Sequence, residues 1–557
     1  MTTRTNLLSP GELFNAGPYG QVKLIERSLW HLGYDDVRIV DGSGDGGADI
    51  LAVKRDELWV FQSKWSKTTR IDQTGVDDLE RAHQDYMADY AVLVTNTSLN
   101  RVALARLEVL KRLGLRVQDW NGATLELIGK SMPSRVTKEK TLRPYQADAV
   151  VAIKRDLVNS GRSLLILATG LGKTVVGGEV IGDFIAKNPG SNVLILSHLK
   201  ELSAQLERAM WQHLPKTVPT NLLTGDSKPK NLEGVTAGTI ESALNAVHDG
   251  YRPDLVMIDE THHVGESGQY AQLLELLKAV PKFGVTATPW RGDEFDISKV
   301  FGSASYQMGI AEGMRGGWLS QVDYRLFVDN IDWELIREKS KHRYSIKDLN
   351  RKLFLPQRDS EIIDFLRSAW NAVLRPRAIV FCQTIEHAKH VRELIKKSDP
   401  AWSQAESLHS EMSMQQRNMI LNRFRLGRTP ILTCVDVLNE GVDVPDVNVI
   451  AFLRVTHSRR IFVQQLGRGL RVAEGKDALK VLDFVTDIRR VAAALKLKRE
   501  LEQSETETIR LNAGESNIEF SDKTNGSFLD LWIQDAANLE SSADEVTLQF
   551  PDTYGIH

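Results

Sequence analysis

Leu164-Leu-Ile-Leu-Ala-Thr-Gly-Leu-Gly-Lys-Thr174 is the stretch whose reading decides the fold. The aliphatic run is a strand buried on both faces, because neither parity of its side chains is polar. The glycines let the following turn point its backbone amides inward, where they can surround phosphate oxygens at a helix N-terminus. In that reading Thr169, Gly170 and Gly172 shape the loop, the Lys173 ammonium reaches the β and γ phosphates, and the Thr174 hydroxyl holds Mg²⁺. Ala168 stands where the strict pattern has glycine.

Outward from this loop the pattern repeats. Short apolar strands are expected at Ser163–Leu167, Asn192–Leu196, Leu255–Ile258, Ala378–Phe381, Pro430–Cys434 and Val447–Phe452, with amphipathic helices between them. That alternation is the signature of parallel α/β sheets. About 85 residues after the loop, Leu255-Val-Met-Ile258 runs into Asp259-Glu260. Asp259 at a strand end can join the Mg²⁺ shell, and Glu260 can orient or activate the attacking water.

From Leu142 to about Phe484 the chain resembles the DExH-type members of helicase superfamily 2, in which alanine at the first loop position is usual. The resemblance implies ATP hydrolysis coupled to movement on nucleic acid. It assigns Arg143-Pro-Tyr-Gln146 to adenine recognition, with Gln146 on the base, and Thr286-Ala-Thr288 with His262 to coupling. Ser197 to Gln205 and Ala237 to Ser242 match segments that touch the sugar-phosphate backbone. Phe381-Cys-Gln-Thr384 resembles the family's fourth motif, and Glu440-Gly-Val-Asp-Val-Pro445 its fifth, where Asp443 faces the ribose. Gln464-Gln-Leu-Gly-Arg-Gly-Leu-Arg471 resembles the sixth, placing Gln464, Arg468 and Arg471 at the nucleotide. Arg468 and Arg471 lie three apart and share a helix face. Guanidinium groups that reach the γ-phosphate from a second lobe make hydrolysis depend on lobe closure, and such groups accelerate it by roughly 10³–10⁵. No strand-separating wedge is identifiable, so tracking along duplex without opening it stays open.

Near the N-terminus, Asp49 opens a strand over Ile50–Val53, Lys54 to Glu57 make a turn, and Leu58–Lys64 returns. A turn centred between Arg55 and Asp56 places Asp49 opposite Gln62, and alternation puts Gln62 and Lys64 on one face. A carboxylate, an amide oxygen and an ammonium then converge, a set that can bind a divalent cation and polarise a phosphate. Residues 11 to 130 resemble the Mrr-type branch of the PD-(D/E)xK restriction endonucleases, in which glutamine can replace the acidic residue before x-Lys. The likeness includes a Tyr19–Leu32 helix ending at Gly33-Tyr34, the Gly44–Asp49 loop with Asp45, and Ala91 to Asn96. It implies Asp49 and Gln62 as Mg²⁺ ligands with Lys64 beside them. For the family's helix carboxylate Glu26 fits the helix face, and Gln21 competes for the role.

The expected architecture is α/β throughout: a nuclease-like domain at 1–131, a linker at 132–141, RecA-like lobes at 142–335 and 336–500, and an acidic tail at 501–557. Twelve acidic and two basic residues after Glu500 leave the rest of this net −3 chain positively charged, which is compatible with nucleic acid. Cys382 and Cys434 sit in apolar strand-like runs and read as buried thiols. Trp318, Trp333 and Trp370 read as core residues. With no apolar run long enough for a bilayer and no signal-peptide pattern, a cytoplasmic place is expected. The implied cofactors are ATP and Mg²⁺. The implied partner is DNA, double-stranded on this reading, with any modification reader on a separate specificity or modification subunit. The function expected is an ATP-dependent DNA translocase or helicase with endonuclease activity, in restriction or defence against foreign DNA. The alternative is a remodelling or repair helicase whose N-terminal domain only binds DNA.

Overall fold

The computed structural model describes residues 6–40, 48–67, 69–136, 141–229, 231–261, 264, 268–287, 297–327, 343–345, 359–382, 384–435, 447–453, 478–484 and 547–549. The first unit runs α1 (Pro10–His31), β1 (Asp35–Ile39), β2 (Ile50–Lys54), β3 (Glu57–Lys64), α2 (Gln73–Asp85), β4 (Tyr90–Thr95), α3 (Arg101–Arg112), β5 (Val117–Trp120) and α4 (Gly122–Ser131). Its sheet has the order β1-β2-β3-β4-β5, antiparallel through β3 and parallel from β3 to β5. Alternation sorts the core into two faces. Ile50, Ala52, Trp59 and Phe61 pack on Val22, Ile25 and Leu29 of α1, whereas Leu51, Leu58 and Val60 meet Val76 and Leu79 of α2. Helix α1 kinks at Gly17 (φ 71°) ahead of Pro18, so the expected helix from Tyr19 is its second, straight part.

The β2–β3 turn is two residues long, and both Arg55 (φ 54°) and Asp56 (φ 63°) are left-handed. That is the turn whose twist matches paired strands. It sets Ile50 against Phe61 and Lys54 against Glu57, the register expected from the sequence.

The second unit contains α5 (Pro144–Ser160), β6 (Arg162–Leu167), α6 (Lys173–Lys187), β7 (Val193–Ser197), α7 (Lys200–Met210), β8 (Thr220–Leu223), β9 (Val235–Thr239), α8 (Ile240–His248), β10 (Leu255–Asp259), α9 (Gln269–Leu276), β11 (Lys282–Thr286), α10 (Ser298–Phe301), β12 (Ala304–Met308) and α11 (Ile310–Arg315). Its sheet is parallel in every pairing, in the order β12-β6-β11-β10-β7-β9-β8. The third unit contains β13 (Gln321–Phe327), α12 (Asp359–Asn371), β15 (Ala378–Phe381), α13 (Ile385–Ser398), β16 (Glu406–Leu408), α14 (Met414–Arg425), β17 (Ile431–Cys434), β18 (Val449–Leu453) and β19 (Ala478–Phe484). It is parallel too, ordered β13-β19-β18-β15-β17-β16. Between β13 and α12 in sequence, β14 (Arg343–Ser345) pairs antiparallel with β20 (Thr547–Gln549) from the acidic tail.

One expectation is corrected. Gln321–Phe327 was assigned to the first lobe, yet seven of its residues pair with β19, so the chain crosses to the second lobe between β12 and β13. The alternating Gln-Val-Asp-Tyr-Arg-Leu-Phe pattern does not say which sheet receives the strand; the partner's hydrogen bonds do. Both cysteines are buried, Trp318 packs against Tyr145, and Trp370 stands edge-on to Trp402. Trp333 lies outside the described residues.

The N-terminal unit is tied to both lobes. On one side Glu26 of α1, buried, accepts from Arg208 Nε of α7 at 2.6 Å and from Lys23 Nζ at 3.3 Å. Arg27 donates to the Pro215 carbonyl at 3.1 Å, and Lys216 donates to the Met132 carbonyl at 2.8 Å. On the other side Arg425 of α14 grips both oxygens of Asp36 at 2.9 and 2.7 Å, and Arg428 reaches Asp89 at 2.8 Å. Met419 and Leu426 pack against the same N-terminal core.

Candidate functional site

Parallel strands bring their carboxyl ends to one edge of a sheet, and that edge is where ligands bind in such folds. In the first lobe the edge collects Lys173 after β6, Thr286 at the end of β11, Asp259 at the end of β10, and Ser197 at the end of β7. These strands are neighbours in the order β6-β11-β10-β7, so the loop lysine and the strand-end carboxylate flank one strand. Gly170 (φ 92°) and Gly172 (φ 84°) make the turn left-handed before α6 begins at Lys173. A Cβ on Gly172 would sit 2.6 Å from Gln146 Nε2, so the loop is packed as well as bent. Thr169, Gly170 and Thr174 are half-buried along it, and Lys173 Nζ lies 3.5 Å from the Leu167 carbonyl.

Gln146 and Tyr145 brace this loop. The Gln146 amide donates to the Leu171 carbonyl at 3.0 Å and accepts from the Arg143 N–H at 3.0 Å, while the Tyr145 hydroxyl donates to Leu171 at 2.8 Å. Arg143 donates to the Trp318 carbonyl at 2.9 Å. Desolvation pushes the Asp259 carboxyl above its usual range, the neighbouring Glu260 pushes it further, and Lys173 and His198 pull it back. Glu260 itself has a left-handed backbone (φ 49°), the kind of strain that collects at working sites. Gly284 of β11 lies against Thr261, where a side chain would collide with the Thr261 methyl. The positive-φ loop, the lysine and the two acids fit a nucleotide triphosphate with its hard cation. His198 was expected only as part of a backbone-touching segment, because sequence order does not show that β7 lies beside β10.

His262, Thr288, Asp443, Gln464, Arg468 and Arg471 lie outside the described residues. Their segments follow β10, β11, β17 and β18 in the chain.

In the N-terminal unit the hairpin delivers Asp49 next to β3. Its carboxylate accepts the Ser63 N–H at 2.5 Å, which fastens it across the hairpin. Gln62 is 5 % exposed, and its Oε1 is buried without a hydrogen-bond partner. A buried amide oxygen left unpaired is costly, and a bound cation would satisfy it. Asp49 with Gln62 is an all-oxygen donor set and fits a hard divalent cation such as Mg²⁺. Asp45 lies outside the described residues. Glu26 is committed elsewhere: its oxygens serve Arg208 and Lys23 at the contact with the first lobe. Gln21 donates to Ser63 Oγ at 2.7 Å, and by alternation Ser63 points to the face opposite Gln62 and Lys64. Gln21 thus meets Ser63 at its hydroxyl, and Asp49 meets the same residue at its N–H.

One residue the sequence reading passed over does stand at the site. Asp78 of α2 pairs with Lys64 Nζ at 2.6 Å. Its own signal was an ordinary helix-surface acid three residues before Arg81, to which it also pairs at 3.2 Å. Asn96 at the end of β4 secures the chain beyond Lys64, accepting the Ser66 N–H at 2.9 Å and donating to its carbonyl at 2.8 Å.

Three families match this chain in succession. Residues 16–126 match the family described as restriction endonuclease, residues 139–291 the res subunit of type III restriction enzymes, and residues 359–473 the helicase conserved C-terminal domain. A Schizosaccharomyces pombe protein named as a mitochondrial ATP-dependent helicase is 29% identical over 63% of this chain and 58% of its own length. The endonuclease subunit of the Escherichia coli type I restriction enzyme EcoAI is 25% identical over 62% of this chain and 46% of that subunit. The chain thus spans about half the length of these relatives. Among solved structures, the ATP-dependent type ISP restriction-modification enzyme LlaBIII bound to DNA shares the fold, with a TM-score of 0.52 at 17% identity, over 88% of this chain and 39% of that one. The chain thus carries, in order, a segment that matches the restriction endonucleases of the Mrr type and two parallel-sheet lobes of the RecA-like kind whose segments match the type III res subunit and the helicase C-terminal domain.

Proposed function

We propose that this protein is an ATP-driven translocase on duplex DNA whose N-terminal domain cuts DNA with a divalent cation, in a restriction-like role against foreign DNA. The observation that carries the reading is the double attachment of the N-terminal domain. Glu26 is held by Arg208 of the first lobe and Asp36 by Arg425 of the second. A domain fastened to both lobes feels any change in their separation, so nucleotide-driven closure and the hairpin site are mechanically linked. That linkage supports a coupled machine over two independent modules on one chain.

Lys173 and Thr174 would hold the triphosphate and its Mg²⁺ with Asp259, and Glu260 would orient the attacking water. Gln146, whose amide braces the loop through Leu171 and Arg143, would offer the second lone pair of its oxygen to the adenine amine. Arg468 and Arg471 from the second lobe would complete the charge around the γ-phosphate, with Asp443 and Gln464 beside them. His262, Thr286 and Thr288 would pass the nucleotide state on to the DNA path. At the hairpin Asp49 and Gln62 would hold the cation, which supplies an activated water and neutralises phosphate charge. Lys64 would steady the scissile phosphate. One relative is a subunit of a larger enzyme, which supports a separate specificity or modification partner here. Among the described residues no helix is long and apolar enough to cross a membrane.

The test is cleavage of supercoiled plasmid by the full chain with Mg²⁺ and ATP, beside Asp49→Ala and Lys173→Ala. The coupled machine requires nicking by the parent and its loss in both variants. Nicking that survives Lys173→Ala makes the nuclease independent of the motor. A parent that binds but never cuts, with Mg²⁺ or Mn²⁺, leaves the DNA-gripping helicase as the answer.

A further inference from the structure

We propose that Asp78 is the positioning residue for Lys64, and that α2 is the cradle in which the hairpin's ammonium group is set. The inference rests on the nuclease reading of the hairpin and adds a residue to it.

Three observations converge. The Lys64 ammonium meets Asp78 Oδ2 at 2.6 Å, and the other oxygen of Asp78 is steadied by Arg81 at 3.2 Å. One turn earlier in α2 stands Gly75, which is buried; a Cβ there would lie 3.5 Å from Lys64 Cγ and 2.7 Å from Ile71. The Lys64 stem thus passes the helix at this glycine at ordinary contact distance, and it is Ile71 that a side chain there would strike. Gly75 and Asp78, three apart, share a helix face, so one residue receives the stem and the other the head. Finally, Lys64 lies on the same sheet face as Gln62, whose Oε1 is buried and unpaired.

The pair is not there for stability. Lys64 retains 32% and Asp78 25% of their side-chain exposure, and ion pairs of that kind contribute little to folding. What it does is remove freedom from a long side chain that otherwise sweeps many rotamers. Gln62 lacks the negative charge that a carboxylate at its position would offer the ammonium. Asp78 supplies that charge from the neighbouring helix.

The experiment uses the full chain and two readouts. In single-turnover nicking of plasmid, Asp78→Asn is expected to slow cleavage by about 10–100-fold, the usual effect of losing an orienting partner. DNA affinity and ATP hydrolysis should stay at parental values, and Asp78→Glu should recover most of the rate. Lys64→Ala with Asp78→Asn together should be no slower than Lys64→Ala alone, because a residue that acts only through Lys64 has nothing left to position. Multiplying defects in that double variant, or parental cutting by Asp78→Asn, overturns the proposal. The second readout needs no cutting: acylation of Lys64 by a limiting amine-reactive reagent, followed by peptide mass spectrometry. Asp78→Asn should raise labelling at Lys64 severalfold, with Lys67 as internal reference. Unchanged labelling overturns the proposal even if cleavage falls. A parent that does not cut removes the nuclease reading instead, and the labelling ratio still decides whether Asp78 holds Lys64.

Discussion

Replacement of Lys173 by alanine is expected to reduce DNA-stimulated ATP hydrolysis by at least about 10²-fold, the scale of losing one charged contact aimed at developing negative charge. The fold should survive, because Lys173 is half-buried and its hydrogen bond to the Leu167 carbonyl is a long one, 3.5 Å. The defect has two sources. The ammonium that meets the β and γ phosphates is gone. In addition Asp259, already raised by desolvation and by Glu260, loses the cation that pulls it back. A strand-end acid that takes up a proton more readily holds Mg²⁺ less well. Raising Mg²⁺ should therefore recover part of the loss in nucleotide affinity and none of the loss in turnover. Phosphate release measured across a Mg²⁺ series, with a fluorescent nucleotide for affinity, separates the two. Wild-type turnover in the variant would remove Lys173 from the site.

The second large effect lies far from either reaction. Among the described residues, Arg208→Ala leaves the buried Glu26 with Lys23 as its remaining cation. Stripping one partner from a buried pair costs about 3–5 kcal/mol, and the remaining lysine places this case at the low end. For a unit of this size that corresponds to a drop of roughly 5–10 °C in the first thermal transition. Replacing both partners at once, Glu26→Gln with Arg208→Met, should recover most of it, since no charge is then stranded. Differential scanning calorimetry of the full chain reads both. A shift under about one degree for the single variant would mean that the ion pair carries no weight between the units.

Much of the fold was legible because parallel strands buried on both faces write themselves as aliphatic runs. Ser163–Leu167 and Ala378–Phe381 needed no partner to be recognised. The hairpin was legible because a two-residue turn leaves one register, and Asp49 fell opposite Gln62 for that reason alone. What depended on a second chain segment was not legible. Gln321–Phe327 lies in a charge-rich stretch that reads as a connection, and only its pairing with β19 reveals a strand and its sheet. Glu26 sits on the right helix in a plausible phase for a metal ligand, but Arg208, 182 residues away, takes its charge. Asp78 looked like a surface acid because helix spacing pairs it with Arg81, and nothing local announces Lys64. Long-range electrostatics decides these assignments, and it leaves no periodic trace.

The two ionic seams also change what the connecting peptide is for. Residues 137–140 join the N-terminal unit to the first lobe, yet side chains hold it to both lobes: α1 meets α7 and Lys216 meets the carbonyl of Met132 on the first, and Asp36 meets Arg425 of α14 on the second. Chain continuity is then a convenience of synthesis. A protease cut in that connection would leave a two-piece assembly that travels as one particle, and the N-terminal unit and the two lobes could be encoded by two adjacent genes without losing each other.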